Sequence, residues 1–143
     1  MVADLQAQGY RRADRKYLVF VDTTSANICG LGSHWPDDRP EAANTSNTET
    51  GYARVDAGCW GTAVAAHELM HTFGGVQNSA PHTTGQGHCT DEWDQMCYDD
   101  GSGKPMRVAC SGGAGSGHDL RFDCKHDDYF HTNPPAGSYL ATH

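Results

Sequence analysis

The chain has 143 residues, one domain's worth, enough to bury roughly two thirds of its unfolded surface and too few for a second full domain. Hydrophobic residues make up 37% and charged residues 20%, with a mean hydropathy of −0.65, so the chain reads as globular but lean in apolar material. Ten Lys and Arg against 18 Asp and Glu leave a formal charge of −8, and the only basic cluster is Arg11, Arg12, Arg15 and Lys16, which argues against nucleic acid as a partner.

The apolar stretch at residues 17–21 is the longest, far short of the roughly 20 residues of a membrane span, so no membrane association is expected. Residues 1–9 lack the apolar region of an export signal, and any such signal is expected to have been removed. With 17 glycines and 6 prolines, turns and irregular segments should outweigh long helices.

Residues 3–8 read as the end of a helix, and residues 16–22, rich in Tyr, Leu, Val and Phe, as a strand expected at the centre of a sheet. A polar passage over 25–51 leaves room for a short strand within 28–35. Residues 51–56 alternate Tyr52, Arg54 and Asp56 against Ala53 and Val55, the pattern of a half-buried strand near an edge. Residues 62–73 form the best helix, with Thr62 as N-cap, Ala65, Ala66, Leu69, Met70 and Phe73 as its apolar stripe, and Gly74-Gly75 as its stop. Beyond it the chain is rich in glycine, aspartate and cysteine, with little periodicity. An α+β fold follows: a small twisted sheet, one principal helix and an irregular C-terminal half.

Six cysteines, at 29, 59, 89, 97, 110 and 124, form an even set with no Cys-x-x-Cys pair. Disulfides are therefore expected rather than metal thiolates, and with them an oxidising, extracellular location. Many pairings are open to six cysteines; their order suggests Cys29 with Cys59, Cys89 with Cys97 and Cys110 with Cys124.

Chemistry concentrates in His67-Glu68-Leu69-Met70-His71. A spacing of four on a helix puts both imidazoles on one face, one turn apart, as two zinc ligands require. Glu68 beside them can serve as general base toward an activated water. Gly74 stands three residues past His71, where the chain must turn.

With that glycine, His67-Glu68-x-x-His71-x-x-Gly74 resembles the metzincin branch of the zinc metallopeptidases, and Asp94-Gln95-Met96-Cys97-Tyr98 resembles their Met-turn. The layout of the chain is also similar to that of the snapalysin-like peptidases, which are small and secreted. The resemblance implies a single zincin-like catalytic domain over residues 1–143, tied by disulfides, that binds Zn²⁺ and hydrolyses protein or peptide substrates as a secreted monomer. In the family the third ligand stands three residues after the glycine. Here that residue is Gln77, a poor ligand for zinc.

The downstream candidates are His82, His88, Asp91 and Asp94. His88 is favoured: it lies eight residues before Met96 and directly precedes Cys89, similar to the archaemetzincin pattern, and leishmanolysin-like peptidases also carry an insertion before their third histidine. His82, after Pro81, is the alternative. Tyr98, two residues past Met96, resembles the tyrosine that astacin-like and serralysin-like members place beside the zinc; it either donates to an oxyanion or packs in the turn. Met96 is expected to be structural.

Acidic residues crowd Asp91, Glu92, Asp94, Asp99 and Asp100, then Asp119, Asp123, Asp127 and Asp128. They read either as a Ca²⁺ site or as solvated loops, with Asp91 or Asp94 as a partner that could orient His88. His34, His118, His126, His131 and His143 read as surface or loop histidines. Asn44-Thr45-Ser46 fits a glycosylation sequon. Two alternatives to a peptidase stand beside this reading: a secreted zinc- or calcium-stabilised binding module with a degenerate site, and a zinc hydrolase acting on another bond.

Overall fold

A computed structural model describes residues 1–110 and 121–143; His118 and Asp119 lie outside the described residues. The elements in chain order are α1 (Val2–Ala7), β1 (Lys16–Val21), β2 (Gly30–Gly32), α2 (Thr45–Thr48), β3 (Gly51–Asp56), α3 (Thr62–Thr72) and α4 (Tyr139–Thr142). The fold is α+β, with disulfides Cys29–Cys59, Cys89–Cys97 and Cys110–Cys124, the pairing that the order of the cysteines suggested. Among the described residues no helix is long and apolar enough to cross a membrane. The chain packs as two compact units: Met1–Trp35 with Ala42–Phe73, and Pro36–Glu41 with Gly74–His143.

The first unit carries a three-stranded sheet in the order β1-β3-β2. β1 runs parallel to β3 in the register Lys16↔Gly51, and β2 runs antiparallel to β3 with Gly30 opposite Val55. The sequence expectation for the two long strands is reversed: β1 is an edge and β3 is the centre. Polar alternation in β3 was the misleading signal. Arg54 and Asp56 are not a solvated face but an ion pair, Nε to Oδ1 at 2.7 Å, with Asp56 almost fully buried and accepting a further hydrogen bond from Ser25. A paired charge can sit where a lone one cannot. The apolar run of β1, by contrast, leaves Leu18 and Phe20 at 37% and 49% exposure.

Helix α3 packs on the face of the sheet that carries Gly30, Gly32 and Gly51. A Cβ on Gly32 would lie 2.3 Å from the Glu68 carbonyl oxygen and 2.8 Å from the His71 Cβ, and one on Gly51 would lie 2.7 Å from the Thr72 Cβ. Bare backbone therefore lets the helix settle directly on the strands. This contact also displaces the apolar stripe expected on α3. The buried helix residues are Glu68, His71 and Thr72, at the i, i+3, i+4 positions of one face, whereas Phe73 is 56% exposed. The glycine-lined groove takes polar side chains that an ordinary strand surface would have excluded. The N-cap is Gly61 rather than Thr62, and Gly74, with φ of 94°, ends the helix in the left-handed region that favours glycine.

Around this frame Tyr10, Tyr17 and Tyr52 form a ladder with ring centroids 5.7 Å apart at each step, and the Tyr52 hydroxyl donates to the Tyr10 carbonyl at 2.6 Å. The sequon residue Asn44 caps α2, its Oδ1 accepting from the Asn47 N–H at 3.0 Å.

Among its described residues the second unit has little regular structure, and its buried apolar side chains are Val76, Ala80, Cys89, Met96, Cys97 and Cys124. Buried carboxylates take over the ordering role. Asp123 accepts from the backbone N–H groups of Asp127, Asp128, Tyr129 and Phe130 at 2.6–3.0 Å, holding four donors that would otherwise need water. Asp94 accepts from the Met96 and Cys124 N–H groups at 2.8 and 2.6 Å and from the Tyr129 hydroxyl at 2.5 Å. Asp91 is gripped bidentately by Arg107, the fork geometry that suits guanidinium and carboxylate. With two of the disulfides, these bonds supply what the lean composition withheld from the core.

Candidate metal centre

On α3 the spacing of four brings the Nε2 atoms of His67 and His71 to 3.2 Å, with the rings edge to face at 4.8 Å between centroids. Zinc–nitrogen bonds of about 2.0–2.1 Å at a tetrahedral angle place two such nitrogens about 3.3 Å apart. The pair therefore has the separation that one zinc ion requires. His34, read from sequence as a loop histidine, follows β2 and packs its ring edge-on to His71 at 5.8 Å. No motif links it to α3; only the sheet does.

Glu68, between the two histidines, is 8% exposed and turns toward β2, so that a Cβ on Gly30 would lie 2.7 Å from its Oε1. Burial pushes its carboxyl up to about 7, with nearby Asp56 adding to the rise, while the Gly32 N–H and the Arg54 charge pull the other way. A carboxylate poised near neutrality is suited both to accept and to return a proton.

In the second unit, His88 lies between two polar partners. Its Nδ1 is 3.0 Å from Asp100 Oδ2 and its Nε2 is 3.1 Å from the Tyr98 hydroxyl. Burial pushes His88 below the ordinary histidine range, against the opposing pull of Asp100, which favours the neutral imidazole that a metal needs. Met96 is fully buried, as a packing residue should be.

Asp91 and Asp94, the expected partners for His88, are committed elsewhere, to Arg107 and to the Met96–Cys124–Tyr129 donors. The partner is Asp100. Its side chain is only 6% exposed, and the acidic run around it hid it in the sequence. Gln77 donates to the Gly74 carbonyl at 2.8 Å, a turn-stabilising bond. The alternative ligand His82 gives both its backbone N–H and its Nδ1 to Asp128 Oδ1, at 2.8 and 3.0 Å. His82, Asp91, Asp127 and Asp128 cluster with one ligand atom each within 4.8 Å of the others, but Arg107 already neutralises Asp91. Glu92 lies in the same loop, its N–H bonded to the Arg107 carbonyl. Of the remaining loop histidines, His126 and His131 pack against each other at 5.3 Å and His143 stacks on Tyr139 at 4.5 Å.

No family model, curated protein or solved structure matches the chain.

Proposed function

We propose that this chain is a secreted, zinc-dependent endopeptidase of zincin-like fold, with His67, His71 and His88 as the protein ligands and Glu68 as the general base. The observation that carries the reading is the 3.2 Å approach of the two Nε2 atoms on α3, which fits the donor set and bond lengths of a tetrahedral zinc site. The disulfides, which persist in oxidising compartments, support export. Zinc held there would supply an activated water and polarise the scissile carbonyl.

Glu68 takes the proton of the attacking water and passes it to the leaving amine; its burial keeps the proton affinity high enough for the second step. His88 offers Nε2 because Asp100 occupies Nδ1. Tyr98, whose hydroxyl lies at that Nε2, would be released from it when the lone pair is taken by the metal, and is the donor assigned to the oxyanion.

Chelation is the direct test. Protein treated with EDTA is expected to lose casein hydrolysis and to regain it as zinc is added to one equivalent per chain. Stoichiometric zinc uptake with no hydrolysis of casein or peptides would replace this reading with that of a zinc-stabilised binding module.

A further inference from the structure

We infer that Asp100 is the positioning residue for His88, fixing the tautomer and ring orientation in which Nε2 carries the lone pair offered to the metal. The inference rests on the reading of His88 as a ligand and extends it to a residue that no motif marks.

A carboxylate accepts hydrogen bonds and donates none. Asp100 Oδ2 at 3.0 Å from Nδ1 therefore requires the proton of the neutral imidazole to sit on Nδ1, which leaves Nε2 unprotonated. The Tyr98 hydroxyl, 3.1 Å from Nε2, must then be the donor in that contact, and a phenol can be. Every partner in the chain has the polarity this requires. The Thr84 hydroxyl donates to Asp100 Oδ2 at 2.6 Å, and Asp100 Oδ1 accepts from the Ser102 N–H at 3.1 Å, so the carboxylate is itself held from both ends. The Thr84 N–H closes the ring by donating to the His88 carbonyl at 2.8 Å.

The covalent frame points the same way. His88 directly precedes Cys89 and Asp100 stands three residues past Cys97, so the Cys89–Cys97 bridge ties together the two segments that carry the pair. Acceptors of this kind behind a ligating histidine raise metal affinity by about 10–100-fold.

The test combines the imidazole nitrogen NMR of His88 in metal-free protein with zinc affinity by chelator competition, for wild type, Asp100→Ala and Asp100→Asn. Wild type is expected to show His88 as the Nδ1–H tautomer. Asp100→Ala should lose that preference and bind zinc about 10–100-fold more weakly with an unchanged near-UV circular dichroism spectrum, and Asp100→Asn, which keeps an acceptor oxygen, should recover most of the affinity. An Nε2–H tautomer in wild type would overturn the inference without any variant, and so would an Asp100→Ala protein that keeps both tautomer and affinity. If the tautomer follows Asp100 but His88→Ala binds zinc as wild type does, the ligand reading itself is what fails.

Discussion

Glu68→Gln is expected to lower casein hydrolysis by about 10²–10⁴-fold, the usual contribution of a general base, while zinc stays bound at one per chain. The same substitution should make the metal-free protein more stable at pH 8. In the folded chain burial moves the Glu68 carboxyl from 4.5 to about 7. Between those values the unfolded chain releases its proton and the folded chain keeps it, so stability falls as pH rises through that window and the loss is complete above it. At about 1.4 kcal/mol per pH unit the penalty at pH 8 is roughly 3–4 kcal/mol. Glutamine, which mimics the protonated acid, removes it. Urea denaturation in EDTA should thus separate the variant from wild type at pH 8 and bring the two together at pH 4. Full activity in Glu68→Gln would refute the assigned role, and equal stability at pH 8 would refute the burial argument.

Asp94→Ala is expected to be among the most damaging single changes in the second unit. It strands two backbone N–H groups and a tyrosine hydroxyl. Unsatisfied buried donors cost about 1–3 kcal/mol each, so roughly 3–9 kcal/mol is at stake, comparable to the whole stability of a small domain. Thermal melting should show a midpoint lowered by well over 10 °C, or no cooperative transition at all. Asp94→Asn should fall between the two, because its amide presents a donor where one of these donors now finds an acceptor. Asp99→Ala, which removes only an exposed carboxylate bonded to the Gly101 N–H, should shift stability by no more than about 0.5 kcal/mol. Equal effects at positions 94 and 99 would contradict the ordering role given to the buried carboxylates.

The elements that were legible in the sequence are those whose signal is local. The helix over α3, the strands at β1 and β3, and the short strand near residue 30 follow from periodicity and from turn residues. The three cysteine pairs are those that order along the chain suggested among the pairings open to it. What periodicity could not supply was the partner of each face. Arg54 and Asp56 look like a solvated alternation until their mutual pairing is known, so the central and edge strands were exchanged. Glycines 30, 32 and 51 reshaped the groove beneath α3, so that His71 and Thr72 occupy the seat expected for Leu69 and Phe73. Sequence separation likewise hid the approach of His34 to His71.

The same limit governs the candidate site. His67, Glu68 and His71 are one motif on one helix turn, and their geometry follows from helical rise alone. The orienting acid for His88 belongs to no motif. The sequence reading singled out Asp91 and Asp94 and passed over Asp99 and Asp100, and the structure of the second unit reassigns them: Asp91 meets Arg107, Asp94 meets three donors, and Asp100 meets His88.

The central claim is that one zinc is held by His67, His71 and His88 and cleaves peptide bonds. Metal analysis of purified wild type, His88→Ala and His82→Ala, run beside casein hydrolysis, tests it most directly. One zinc per chain with protease activity, both lost in His88→Ala and both retained in His82→Ala, is the predicted result; zinc and activity that survive His88→Ala would contradict it.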